Sequence, residues 1–335
     1  MLKYYLEEKS VRRFLKRYEA KRVAVQLPSG LRPKLPEILR VFEEMGVEPV
    51  IIGESCYGGC DLGDAEARRM GCDVLIHYGH ADMGLKTCLP TLYVEARMPV
   101  DPADAIESAL PQLDFKRVGL ITTVQHISYL HDVAELLRMH GFEPFIGKPG
   151  RRAKYPGQLL GCDFGCARSV SSLVEGFLYF GTGEFHPLGA ALATGKKVLA
   201  VNPVSSSSKR ISPDIGDFLK RRKAVISRAA AGERFGIIVS TKSGQTRFNL
   251  ATRLVKELKH AGRTASILVM NEVRPEELND FEFDALVCTA CPRIPFDDAG
   301  RFGCPVLTPP ETKVMLGKSK FEPYEMDEFT EEDLS

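Results

Sequence analysis

Apolar residues fall along this chain in two kinds of block. In short runs nearly every position is apolar: Arg22–Leu27, Val47–Ile52, Val74–His77 and Thr91–Val94. Between the first two, from about Lys34 to Met45, apolar residues recur at helical spacing and stop at Gly46. The unbroken runs predict strands of parallel sheets covered on both faces, and the periodic stretches predict the helices that cover them.

The same order then returns twice. A strand at Arg117–Thr122 is followed by a helix near His131–His140, and Phe142-Glu143-Pro144-Phe145-Ile146 echoes Val47-Glu48-Pro49-Val50-Ile51. Strands at Gly176–Phe180 and Lys197–Val201 complete that unit. The third begins with Arg234–Val239, continues with a helix at Asn249–His260, and adds strands at Ala265–Met270, Ala285–Val287 and Pro305–Leu307.

A self-similar period of roughly 100 residues predicts an α/β chain of three repeated domains. Each is expected to be a small four-stranded parallel sheet flanked by helices, with cuts at 1–112, 113–232 and 233–335. Ligands of such sheets collect beyond the carboxyl ends of the strands, so three units can aim those ends at one central site. Outside the repeat, residues 1–21 read as an amphipathic helix on Leu2, Tyr5, Leu6, Val11, Phe14 and Leu15. Asp214–Ala231, after the polar run Ser205–Ser208, reads as a helical connector. The acidic end, Glu322–Ser335, is expected to be loosely held.

A chain of 335 residues is long enough for three such units. A net charge of +1 argues against a protein that lives on nucleic acid, so no direct nucleic-acid binding is expected. No run reaches the roughly 18 apolar residues of a membrane span. The first residues show no apolar core with a cleavage site, so a cytoplasmic location is expected. In that reducing setting clustered cysteines bind metal or do chemistry more often than they form disulfides.

Six of the nine cysteines lie in three short segments, one per unit: Cys56 and Cys60, Cys162 and Cys166, Cys288 and Cys291. Aligning Cys60-Asp61 with Cys162-Asp163 leaves Cys56 and Cys166 without counterparts. In the third unit Cys288 belongs to the apolar strand, where a small buried thiol is routine, whereas Cys291 lies beyond its end and before a proline. That leaves Cys60, Cys162 and Cys291. Structural zinc takes four ligands, usually as two close pairs, and only one Cys-x-x-Cys is present. Three thiolates suit a 4Fe–4S cluster with one iron left open to a substrate. The remaining thiols, Cys56, Cys166, Cys288, Cys72, Cys88 and Cys304, read as packing.

Five segments identify a resemblance: Tyr57-Gly58-Gly59-Cys60-Asp61, Pro156-Gly157-Gln158-Leu159-Leu160-Gly161-Cys162, Gly181-Thr182-Gly183-Glu184-Phe185-His186-Pro187-Leu188-Gly189, Ser240-Thr241-Lys242-Ser243-Gly244-Gln245 and Ala290-Cys291-Pro292-Arg293-Ile294-Pro295. With them the chain resembles, from end to end, the archaeal diphthamide biosynthesis family of 2-(3-amino-3-carboxypropyl)histidine synthases. The resemblance places the cluster ligands on Cys60, Cys162 and Cys291. It implies a homodimer that binds S-adenosylmethionine at the open iron and takes one electron from an external donor. The family's members transfer the 3-amino-3-carboxypropyl group to a histidine of translation elongation factor 2, leaving methylthioadenosine.

Other polar residues carry two readings each. Gln245, with Lys242 and Ser243, follows the first strand of the third unit and either holds the substrate's amino-acid end or forms a solvated loop. His186 either orients the substrate or caps a helix, and Gln125-His126 is similar. The basic runs Lys220–Lys223 and Arg151-Arg152 are either solvated faces or docking sites. Two other functions fit part of the pattern. Quinolinate synthase, a lyase, also joins three repeated domains around a cluster, and a non-catalytic electron-transfer or scaffold subunit would hold a cluster for a partner.

Overall fold

The computed structural model describes residues 3–212 and 216–333, so Met1, Leu2, Asp214 and Ser335, which several expectations reached, lie outside the described residues. The first unit contains α1 (Glu8–Arg17), β1 (Arg22–Gln26), α2 (Leu35–Met45), β2 (Glu48–Ile51), α3 (Asp64–Arg69), β3 (Val74–Tyr78) and β4 (Thr91–Val94). After α4 (Ala103–Ala109) come β5 (Arg117–Thr122), α5 (Leu130–Met139), β6 (Glu143–Ile146), α6 (Gly165–Val170), β7 (Gly176–Phe180), α7 (Phe185–Thr194), β8 (Lys197–Asn202) and β9 (Ser207–Ile211). Then follow α8 (Gly216–Ala230), β10 (Arg234–Ser240), α9 (Phe248–His260), β11 (Thr264–Met270), α10 (Pro275–Asn279), β12 (Ala285–Cys288), α11 (Ile294–Asp297), β13 (Val306–Leu307) and α12 (Pro309–Met315).

The strand orders are β2-β1-β3-β4, β6-β5-β7-β8-β9 and β11-β10-β12-β13. The second strand of each unit turns back beside the first, and the third crosses to its other side, so each sheet opens its carboxyl edge in the same sense. The central strands are buried along their length, as their apolar runs require; β3 and β7 are buried at every position. α2 shows how the local signals work. Ile38, Val41 and Phe42 form its buried stripe, and Gly46 ends it in the left-handed region at φ 66°, where a side chain would be strained.

Two expectations change. The second sheet has a fifth strand, β9, antiparallel to β8 with Val198 opposite Ile211 and Asn202 opposite Ser207. Its first residues, Ser207 and Ser208, belong to the polar run Ser205–Ser208, to which no strand was assigned, and the exposed Lys209 and Arg210 give the sheet a charged edge. Two helices that precede the proposed cuts pack into the core of the unit that follows. α4 buries Ala105, Ile106 and Ala109 in the core of the second unit, although it precedes residue 113. α8 puts Ile226 and Ala229 into the core of the third, although it precedes residue 233.

The acidic end is not loose. Tyr324 and Met326 join the core of the second unit, and Asp327 and Phe329 are buried. Apolar side chains at alternate positions, 324, 326 and the later Phe329, outweigh the charged ones between them. Among the described residues no helix is long and apolar enough to cross a membrane.

The basic run of α8 divides. Arg221 and Lys223 are exposed, but Arg222 is buried, donating from Nε at 2.7 Å and Nη2 at 2.6 Å to the two carboxylate oxygens of Glu311. That carboxylate also accepts the backbone N–H of Thr308 and caps α12. Tyr324 Oη donates to it at 2.8 Å, so one buried ion pair ties α8, α12 and the chain's end together. Removing one partner would leave the other charge buried and unpaired. Arg222→Ala is therefore expected to lower the unfolding free energy by about 3–5 kcal/mol in urea titrations. Arg221→Ala is expected to change it by less than about 0.5 kcal/mol.

Candidate metal centre

The cysteine loops leave the carboxyl ends of strands, as the repeat required. Cys60 lies between β2 and α3, Cys162 between β6 and α6, and Cys291 just beyond β12. Each unit supplies one cysteine, but not from equivalent loops. Cys60 and Cys162 follow the second strand of their units and Cys291 follows the third. The third unit's counterpart of β2 and β6 is β11, which runs into Asn271-Glu272-Val273-Arg274 without a thiol.

All three cysteines line one cavity of about 370 Å³, together with Gln245, Arg152, His186, His80 and Arg293. All three are free thiols. Burial pushes Cys162 and Cys291 up to about 12. It also raises Cys60, against the hydrogen bond from Gln245 and the positive charge of Arg152. A metal centre here must therefore displace protons, and the two N–H donors lower the cost of the thiolate form.

Those donors come from different units. Gln245 Nε2 donates to Cys60 Sγ at 3.3 Å, and Arg152 Nη1 donates to Cys162 Sγ at 3.3 Å. Arg152 Nη2 also donates to the carbonyl of Gly244 at 2.6 Å, while Gly244 N donates to the carbonyl of Cys60 at 2.9 Å. Gly244 must lack a side chain, because a Cβ there would lie 2.6 Å from both Cα and Cβ of Cys60. An aspartate follows each of the first two cysteines and shapes its loop. Asp61 accepts Tyr57 N and pairs with Lys242 Nζ at 2.7 Å. Asp163 accepts Arg152 N at 2.7 Å and Gly165 N at 2.8 Å.

The expected residues are thus only partly brought together. Gln245 faces a cysteine sulfur. Lys242 is buried and engaged by Asp61, where it steadies the Cys60 loop. Ser243 is exposed and does not line the cavity. His186 lies in the first turn of α7 and lines the cavity, stacked on Tyr179 with ring centroids 6.3 Å apart and planes at 9°. Burial lowers it to about 4, so it is neutral at physiological pH. Gln125 donates to the carbonyl of Gly79 at 2.8 Å, and His126 is buried with Nδ1 unpartnered.

Arg152, read with Arg151 as a solvated face or docking site, is instead buried against the cysteine loops. Its signal was position, within the loop that carries Cys162, but it was masked by the neighbouring exposed Arg151. Phe329 was missed: its ring lies under Arg152 at 4.2 Å and under Arg247 at 4.6 Å, and its N–H donates to the carbonyl of Cys162 at 3.2 Å. Of the other thiols, Cys166 packs in the core on α6, and Cys288 is buried in β12 with Sγ 3.7 Å from the carbonyl of Cys291. A pure sulfur donor set, facing one cavity and hydrogen-bonded at two sulfurs, fits an iron–sulfur cluster.

Comparison with known proteins agrees with this chemistry. The family described as "Putative diphthamide synthesis protein" matches residues 27–326. A 2-(3-amino-3-carboxypropyl)histidine synthase of Pyrococcus horikoshii is 43% identical over 318 residues, covering 94% of this chain and 90% of the relative. One from Methanocaldococcus jannaschii is 30% identical, covering 93% and 89%. The crystal structure of Dph2 from Pyrococcus horikoshii with a 4Fe-4S cluster superposes with a TM-score of 0.91 at 41% identity, covering 98% of this chain and 94% of that one.

Two outcomes check the centre. Cys60→Ala, Cys162→Ala and Cys291→Ala should each abolish or cripple the iron and sulfide content of anaerobically purified protein. Cys166→Ala and Cys288→Ala should leave most of it, and unchanged iron in the first set would refute the ligand assignment. Gly244→Val should likewise lower iron content by displacing Cys60, with its circular dichroism spectrum retained.

Proposed function

The chain belongs to the diphthamide synthesis protein family, and from that membership we propose that it is a 2-(3-amino-3-carboxypropyl)histidine synthase. Its substrates are S-adenosylmethionine and a histidine of translation elongation factor 2, and the group it transfers is 3-amino-3-carboxypropyl. The observation that carries the proposal is the convergence of Cys60, Cys162 and Cys291 from three units on one cavity, with nitrogen donors on two of the sulfurs. When bound there, a 4Fe–4S cluster supplies one electron to the sulfonium of S-adenosylmethionine and an iron open to the substrate.

The chain's own residues set the conditions. Gln245 and Arg152 hydrogen-bond the ligand sulfurs and so tune their basicity. Lys242 and Asp61 hold the Cys60 loop in place from outside the cavity. The neutral His186, fixed by its stack on Tyr179, is the candidate for hydrogen-bonding the substrate's amino-acid end. Arg293, over the ring of Phe185 and paired with Asp297, gives the same wall a positive charge that suits a carboxylate. The protein acts as a homodimer in the cytoplasm, where its thiols stay reduced and an external donor supplies the electron.

Reduced with dithionite and given S-adenosylmethionine, the enzyme should release methylthioadenosine and label elongation factor 2. Replacing the factor's target histidine should stop the labelling. Dominant 5′-deoxyadenosine would mean cleavage on the other side of sulfur. No consumption of S-adenosylmethionine by cluster-loaded protein would favour a lyase like quinolinate synthase or a non-catalytic cluster carrier. His186→Ala should raise the KM for S-adenosylmethionine about tenfold or more while iron content stays unchanged, as expected when one hydrogen bond to a charged group is lost.

A further inference from the structure

Beside the three cysteines lies a second group of donor atoms, of which His80 also lines their cavity. Cys56 Sγ is 3.9 Å from His77 Nε2 and 3.9 Å from His80 Nδ1, and those two nitrogens are 3.0 Å apart. A tetrahedral zinc, with Zn–N about 2.0 Å and Zn–S about 2.3 Å, spaces such atoms roughly 3.3–3.6 Å apart. Shifts of a few tenths of an ångström would bring all three to one ion.

The group is built rather than incidental. Gln26 fixes the tautomer of His77. Its Nε2 donates to the carbonyl of Asp61 and its Oε1 accepts Gly63 N–H, both at 3.0 Å, which settles the orientation of the amide. His77 Nδ1 lies 2.9 Å from that same Oε1 and so must carry the proton. The Nε2 lone pair is therefore left facing Cys56 and His80. An outer hydrogen bond of this kind is the usual companion of a ligating imidazole. Tyr93, with its ring 5.4 Å from that of His77, has a buried hydroxyl without a partner, a further polar group for which the protein alone provides nothing.

We propose that Cys56, His77 and His80 bind a divalent cation of the zinc class, at a site that adjoins the three-cysteine cavity through His80 and uses none of its three sulfurs. Binding is coordination without redox change: the Cys56 thiol gives its proton to solvent, its sulfur and the two imidazole nitrogens bind the ion, and water fills the fourth position. The ion would clip the loop carrying Cys60 to the end of β3. The proposal does not depend on the identity of the transferred group.

The test uses cluster-loaded protein, equilibrated anaerobically with Zn2+, desalted, and analysed for zinc and iron together. Wild-type protein should keep about one zinc per chain. Cys56→Ser and His80→Ala should each weaken zinc affinity at least about tenfold, and Gln26→Leu about 10–100-fold through loss of the outer hydrogen bond. Iron content should be unaffected in Gln26→Leu, and Cys166→Ala should bind zinc like wild type. Co2+ in place of Zn2+ should show a thiolate charge-transfer band that Cys56→Ser removes and Cys166→Ala keeps. Failure of folded, cluster-loaded wild-type protein to retain zinc would overturn the proposal. So would wild-type affinity in Cys56→Ser and His80→Ala, or zinc that leaves with the iron in Cys162→Ala.

Discussion

The guanidinium of Arg152 spans the junction on which the centre depends, donating to Cys162 Sγ in its own unit and to the carbonyl of Gly244 in the third. Gly244 in turn donates to the carbonyl of Cys60 in the first. One side chain and one glycine thus link three units in a chain of short contacts. A buried cation is costly unless its surroundings return the lost solvation. Here the carbonyl, the face of Phe329 and the sulfur do so, and thiolate ligands would add the negative charge that thiols lack.

Around this link the chain's end acts as a strap. Arg247 and Asp327 form a buried pair with contacts of 2.8 and 2.9 Å, which joins the third unit to the strap. Glu328 accepts Phe164 N–H and pairs with Arg168, which joins the strap to the second. Phe329 then lies between two guanidinium groups, and its N–H holds the carbonyl of Cys162. The residues that close the fold are therefore the ones that close the wall behind the three-cysteine cavity.

The three units share a strand order but not a site. Position after the second strand supplies a cysteine in the first two units and none in the third, where the cysteine comes from the loop after the third strand. In the first unit that third-strand loop supplies His80, and in the second it leads to His186. Both line the same cavity as Cys291. The repeat thus delivers several polar side chains to one place by different loops.

The apolar runs and helical periods by themselves indicated three parallel sheets and the side on which ligands gather, because strand and helix follow from neighbours a few residues apart, whereas the order of the strands came only with the fold. Cys60, Cys162 and Cys291 were legible too, since a thiol beyond a strand end has no packing role to explain it. The fifth strand was not legible, because a serine-rich edge strand carries no apolar pattern. The roles of Arg152, Arg222 and the acidic end were hidden for a related reason. Each lies in a charged stretch that solvation would explain equally well, until residues far away in the sequence bury it. Only the tertiary structure could decide those, because contacts such as Arg152 with Gly244, Arg222 with Glu311 and Arg247 with Asp327 join residues about 80–90 positions apart and leave no periodic trace in the chain.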